Sequence, residues 1–119
     1  MDTIVVAIPA QTRGGTASPR AKTLEDAPFL EVLYLEGEEI TKDLNVGLPP
    51  ASWEAHGFVY TILDRHKVQH LIVEDMEEAT VAMVASMGVT IWRDTESPTV
   101  GDAIEAWKAG SLEQVEPPA

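Results

Sequence analysis

The segment HLIVEDMEEATVAMVASMGVTIW, residues 70–92, reads as strand, helix, strand. His70 to Val73 is a short apolar run of the kind that makes a strand buried on both faces. Asp75 with Glu78 three residues later is a capping-box pattern, with Asp in the Ser/Thr role, and it predicts a helix from there to about Met87. The expected inner face is Met76, Ala79, Met83, Val84 and Met87. Gly88 suits the residue just past a helix end, and Val89 to Trp92 returns as a strand. Two strands joined through a helix must pair in parallel, with a right-handed crossover. This half of the chain is therefore α/β.

Upstream, Ser52 follows Pro49-Pro50 as a plausible N-cap, and Ala55, Phe58, Val59, Ile62 and His66 recur at helical spacing. The N-terminal third reads differently. Thr3 to Ile8 is a continuous run rich in β-branched residues, with Pro9 expected to end it, and Pro9 to Leu24 forms a long polar loop. Phe29 to Leu35 is a second strand, Glu36-Gly37-Glu38 a hairpin turn and Glu39 to Leu44 a third strand, an antiparallel meander. Downstream, Thr99 to Ala109 is a third helix, its cap supported by Asp102 and its end closed by Gly110. SLEQVEPPA, residues 111–119, reads as a flexible, frayed tail. The expected architecture is α/β and ribonuclease H-like: a mixed five-stranded sheet in the order βββαβαβα, with three helices. It forms one domain over residues 1–110.

Composition bounds the chemistry. The chain has 119 residues, 45% of them hydrophobic, which is enough for one core and not for two. It has no cysteine, so disulfides, thiolate zinc sites, cysteine nucleophiles and conventionally ligated iron–sulfur clusters are excluded. Twenty acids against eight bases give a net charge of −12, which disfavours nucleic acid and anionic membrane surfaces as partners. No apolar run reaches a membrane-spanning length and Met1-Asp2-Thr3 lacks a basic leader, so the expected location is the cytoplasm.

Against that acidic background, residues 3–24 contain Arg13, Arg20 and Lys22 and no acid at all. Gly14, Gly15, Thr16 and Ser18 in the same loop can supply backbone N–H and hydroxyl donors. Glycines allow the conformations from which anion-binding nests are built. One reading is a small-anion site at the end of the first strand. An ordinary solvated loop, its bases offsetting nearby acids, has the same composition. His56 is followed by Gly57, which could set an imidazole beside a close backbone approach, or could simply be a half-exposed helical residue. His66 and His70 are four apart, but a helix end between them separates their faces. The methionines at 76, 83 and 87 could offer thioethers to copper, although core filling explains the same spacing. Glu74, Asp75, Glu77 and Glu78 could offer a hard-cation site, although helix capping accounts for the same cluster. No Walker loop, nucleophile elbow, HExxH or GxGxxG is present, so the chain carries no positive sign of an enzyme.

In order along the chain, IVVAIPA (4–10), GGTASP (14–19), APFLEVLYLEGEEI (27–40), AHG (55–57), residues 70–92 and TVGDAIEAWKAGSLEQV (99–115) resemble the dinitrogenase iron-molybdenum cofactor biosynthesis family. That group includes nitrogenase cofactor carriers and the molybdenum–copper orange protein. The resemblance implies a ribonuclease H-like fold and a non-enzymatic protein that holds an anionic metal–sulfur cluster. The guest would be a Mo–S–Cu cluster or an iron-molybdenum cofactor precursor. Arg13, Gly14, Gly15, Thr16, Ser18, Arg20, Lys22 and Thr23 would contact it, and His56 would be the metal ligand. Members often carry His-Phe-Gly where this chain has Thr23, Leu24 and Glu25, and a glycine-rich turn where it has Glu74, Asp75 and Met76. The alternative is a protein-interaction module of the same fold that has lost the cluster, with a protein partner and no cofactor.

Overall fold

The residues with the strongest apolar run lie at the middle of the sheet. In this computed structural model, which describes residues 3–24, 26–48 and 53–116 and only the backbone of 53–57, β1 (Thr3–Ala10) is buried from Val5 onward. Successive side chains of a strand point to opposite faces. Val5 and Ala7 accordingly enter one core cluster, and Val6, Ile8 and Ala10 the other. Pro9 does not end the strand as expected. It stays in register with Leu30, and its carbonyl accepts from the Ala21 N–H. A residue's N–H and C=O leave a strand on the same side, so the missing donor faces the loop and removes nothing from the ladder.

β2 (Phe29–Glu36) and β3 (Glu39–Gly47) form the expected hairpin, β3 running three residues past its expected end. Gly37 turns the chain at φ +62°, a conformation costly for any residue with a Cβ. After α1 (Trp53–Arg65) come β4 (His70–Val73), α2 (Glu78–Ser86), β5 (Thr90–Arg93), α3 (Val100–Lys108) and β6 (Glu113–Val115). The sheet order is β3-β2-β1-β4-β5-β6. β1, β4 and β5 are parallel neighbours and the remaining pairs antiparallel. α1 and α2 supply Val59, Ile62, Leu63, Val81 and Val84 to one face, while α3 supplies Val100, Ala103 and Ile104 to the other.

Three expectations are corrected. The sheet has six strands, not five, because residues 113–115 of the supposed tail pair antiparallel with β5. Glu113 and Gln114 are exposed and only Val115 reaches the core, so an edge strand of this length leaves no alternating apolar signal. Residues 117–119 lie outside the described region. Asp75 does not cap α2: its Oδ1 accepts from the Met76 N–H at 2.9 Å, and the helix begins at Glu78 with Glu77 as N-cap. The inner face is then Thr80, Val81 and Val84. Ala79 is exposed and Met83 is 47% exposed, not buried as core filling required.

The cap of α3 is as expected. The Asp102 N–H donates to Thr99 Oγ1 at 3.1 Å, and the Thr99 hydroxyl donates to Asp102 Oδ2 at 2.9 Å. Thr99 also bridges Pro19, and the Val100 N–H donates to the Ser18 carbonyl. Thr99→Ala should therefore cost about 1 kcal/mol in urea unfolding. It should also speed amide exchange at Val100 and Arg20; unchanged exchange there would mean that the cap does not hold the loop.

Candidate functional site

Parallel β1, β4 and β5 end at one edge of the sheet, the place where open α/β sheets put their ligands. The acid-free loop leaves β1 at this edge and is pinned along its length, rather than hanging free as a loop that long would suggest. Ala10 bridges Arg20, Pro19 bridges Thr99 and Thr23 bridges Asp75. The Lys22 carbonyl accepts from both Glu74 and Asp75 N–H groups at 3.0 Å.

This folding divides the expected site residues into three places. At the loop tip, Gly14 (φ −78°, ψ 10°) is followed by Gly15 at φ +63°, the change of hand from which anion-binding nests are made, but the Gly14 N–H donates to Thr12 Oγ1 at 3.2 Å. Residues 15–17 form a short 3-10 turn there. A carboxylate faces that nest, since Asp43 Oδ2 stands 3.1 Å from where a Cβ on Gly15 would be. Arg13 is exposed, its guanidinium carbon 4.8 Å from the centre of the Phe29 ring. Thr16 packs its carbonyl on α3, 3.0 Å from where a Cβ on Gly101 would lie.

Inside the loop, Ser18 is 1% exposed and braces the turn. Its Oγ lies 2.7 Å from Thr12 Oγ1, accepts from the Thr12 N–H and donates to the Thr12 carbonyl. Arg20 is also buried. Its Nε donates to the Ser97 carbonyl at 3.0 Å and its Nη2 meets Glu74 Oε1 at 3.5 Å. These two residues hold the loop: the Ser18 hydroxyl and the Nε and Nη2 groups of Arg20 are engaged by the protein itself.

The third place is open. Lys22 and Thr23 line a cavity of about 480 Å³ with Gln11, Ala21, Asp26 and Pro28. The Thr23 hydroxyl donates to Asp26 Oδ2 at 3.3 Å and accepts from the Asp26 N–H. His56 is in the first turns of α1, and its side chain lies outside the described residues. Among the described residues no group of three or more His, Asp or Glu side chains is placed to hold a metal ion.

Several polar residues at this edge and beneath the loop carry no motif. Glu31 is 1% exposed beneath the loop tip, bonded to Asn45 Nδ2 at 2.7 Å, while Asn45 Nδ2 also reaches the Thr12 carbonyl at 3.3 Å. An acid inside the apolar run FLEVLYL was the available signal. Asp94, 3% exposed, accepts from the N–H groups of Glu96 and Ser97. Arg20 Nη1 and Asp94 Oδ2 are buried with no hydrogen-bond partner among the described residues.

Fold and site together define a small α/β protein whose loop and cavity sit at the carboxyl edge of a mixed sheet. No family model and no curated protein matches the sequence, but solved structures share the fold. The apo form of the orange protein from Desulfovibrio gigas superposes with a TM-score of 0.80 at 16% identity, covering 97% of this chain and 95% of that one. A Methanocaldococcus jannaschii protein provisionally assigned as a dinitrogenase gives 0.76 at 14% identity, over 99% and 100%. A Thermotoga protein provisionally assigned as NifB and placed in the DUF35 family gives 0.72 at 21%, over 93% and 92%. These neighbours come from the group that the sequence resembles, and the likeness is one of fold. No described helix is long and apolar enough to cross a membrane.

Proposed function

We propose that the protein is a non-enzymatic cytoplasmic carrier of an anionic metal–sulfur cluster, of the Mo–S–Cu kind or an iron-molybdenum cofactor precursor. The observation that carries this reading is the cavity at the end of β1, lined by Lys22 and Thr23 where an acid-free segment meets the sheet edge. The full-length fold likeness to the orange protein supports it. So does the sheet, three antiparallel strands followed by helix-linked parallel ones, in keeping with a ribonuclease H-like affiliation. A cluster that brings its own sulfides needs neutralising charge and N–H donors more than thiolates. Lys22 and Arg13 are exposed and would supply charge. The Gly14 N–H already donates to Thr12 Oγ1 at 3.2 Å, so Gly15 and Thr16 would supply the N–H groups, and His56 would supply a metal ligand. Ser18 and Arg20 would shape the loop.

Metal-free protein mixed with tetrathiomolybdate and copper should retain a chromophore stoichiometrically through gel filtration. Arg13→Ala with Lys22→Ala should weaken retention by about a hundredfold, each lost charge-assisted contact being worth about tenfold. His56→Ala should alter the spectrum. Equal retention by the double variant would refute the site. A second reading, an interaction module without a cluster, is favoured by Asp43 against the Gly15 turn and Asp26 in the cavity wall, both of which oppose an anion. Absence of any retained colour, with a defined protein captured by the metal-free chain, would establish that reading instead.

A further inference from the structure

Two of the three tryptophans of this chain meet at the amino end of β4, away from the loop. His70 opens β4, Trp92 lies beside it on β5, and Trp107 comes from the last turn of α3. The His70 ring centre is 5.1 Å from that of Trp107 and 6.2 Å from that of Trp92, with interplanar angles of 53° and 37°. The three rings line a cavity of about 390 Å³ between the β2–β3 turn and the end of α3, and Leu112 adds a further apolar wall. All three rings remain only half-buried, so apolar ring surface is open inside a concavity of ligand size.

The polar groups are few and their roles are fixed. An indole N–H can only donate, and Trp92 Nε1 lies 3.1 Å from His70 Nδ1. His70 Nδ1 must therefore accept, and the neutral ring carries its proton on Nε2. Burial lowers the His70 pKa, which keeps the ring in that form near neutral pH. Lys108 lines the cavity with its ammonium 3.3 Å from Glu105 Oε1, and Glu38 lines it as well. The lining carries one base and one acid, Lys108 and Glu38, so it offers a cationic guest no net attraction beyond the ring faces. A flat ring with acceptors on its edge meets π-faces, an imidazole N–H and an ammonium.

We infer that this cavity is a binding site for a planar heteroaromatic ring of purine type, held by stacking on Trp107 and Trp92 and by edge acceptors toward His70 and Lys108. It is independent of the cluster site, which lies beyond the carboxyl end of β4. The probes are adenine, adenosine and choline, titrated into cluster-free protein while the indole N–H resonances and tryptophan fluorescence are followed. Adenine or adenosine should saturate with a dissociation constant between about 10 μM and 1 mM, the range open to a ligand of this size. The Trp92 indole N–H signal should shift with the same midpoint. Trp107→Ala should weaken binding by about tenfold. His70→Ala should weaken it by a smaller factor, whereas His70→Gln, which keeps both an acceptor for Trp92 and a donor, should bind like the wild type. Tighter binding of choline than of adenine, no saturation by either purine probe, or full affinity in Trp107→Ala would overturn the inference. Should a variant fail to fold, the wild-type Trp92 resonance decides: a signal that stays fixed at millimolar purine refutes the site.

Discussion

Arg20→Ala should lower the stability of the fold by about 3 kcal/mol in urea unfolding, the range seen when one member of a buried ion pair is removed. The Arg20 side chain is 5% exposed and ties three segments together: its own loop, Ser97 after β5 and Glu74 after β4. Its removal leaves Glu74 without its cation. It also removes one of the influences acting on Asp94. Burial pushes the Asp94 carboxyl up, but the Ser97 hydroxyl, the Ser97 and Glu96 N–H groups and the Arg20 charge outweigh it, so the group sits below the usual carboxylate range. A carboxyl depressed in the folded state contributes stability above its unfolded value, and that contribution is lost as the pH falls through the folded value. Arg20→Ala should therefore shrink the acid-side loss as well as the plateau. Arg20→Lys should recover less than half, because a single ammonium cannot span both Ser97 and Glu74 as a guanidinium does. A plateau change below about 1 kcal/mol would show that Arg20 is not structural and would return its charge to the proposed cluster site.

Glu31→Gln should act in the opposite direction and only at high pH. Burial first, then the hydrogen bond and charge of Asp43, push the Glu31 carboxyl up to about 7, with Asn45 opposing. Its folded value lies above its unfolded one, so the native chain holds the extra proton between about pH 4.5 and 7. That stabilisation is complete below the unfolded value and is lost as pH rises through the folded one. Gln keeps the acceptor for Asn45 and gains a donor for Asp43, without the charge. At pH 8 the variant should be more stable by on the order of 2 kcal/mol, while at pH 4 the two proteins should unfold alike. An offset that does not change with pH would mean that Glu31 does not titrate between the two states. Because Glu31 and Asp43 lie beneath Gly15, the same variant should slow amide exchange at the loop tip at pH 8.

What could be read in advance follows from where the information resides. β1 could be read because every residue from Val5 to Ala10 is buried, so its composition alone marks a central strand. The β2–β3 turn and the α3 cap were visible because each rests on residues within a few positions of one another. α2 misled because Asp75, Glu77 and Glu78 are all competent near a helix start, and the bond from Met76 takes Asp75 out of contention. Met83 lies two residues, about 200° of helix, from the buried Val81, so a face built on Thr80, Val81 and Val84 turns it to solvent. The acid-free stretch does form the loop that follows β1, but its composition could not sort the bases in it. Nothing in the sequence distinguishes a buried Arg20 from an exposed Arg13.

The amino-acid order by itself determined the α/β class, the helices, the central strand and the acid-free glycine loop. Each is encoded by hydrophobic period or by groups close in the chain, where the energy depends on neighbours. Only the tertiary structure decided that β5 had an edge left for Glu113 to Val115, that Arg20 belongs to Glu74 and Ser97 54 and 77 residues away, and that His70 stands between Trp92 and Trp107. Those relations depend on desolvation and on charges brought together across the sheet, and sequence spacing carries no record of either.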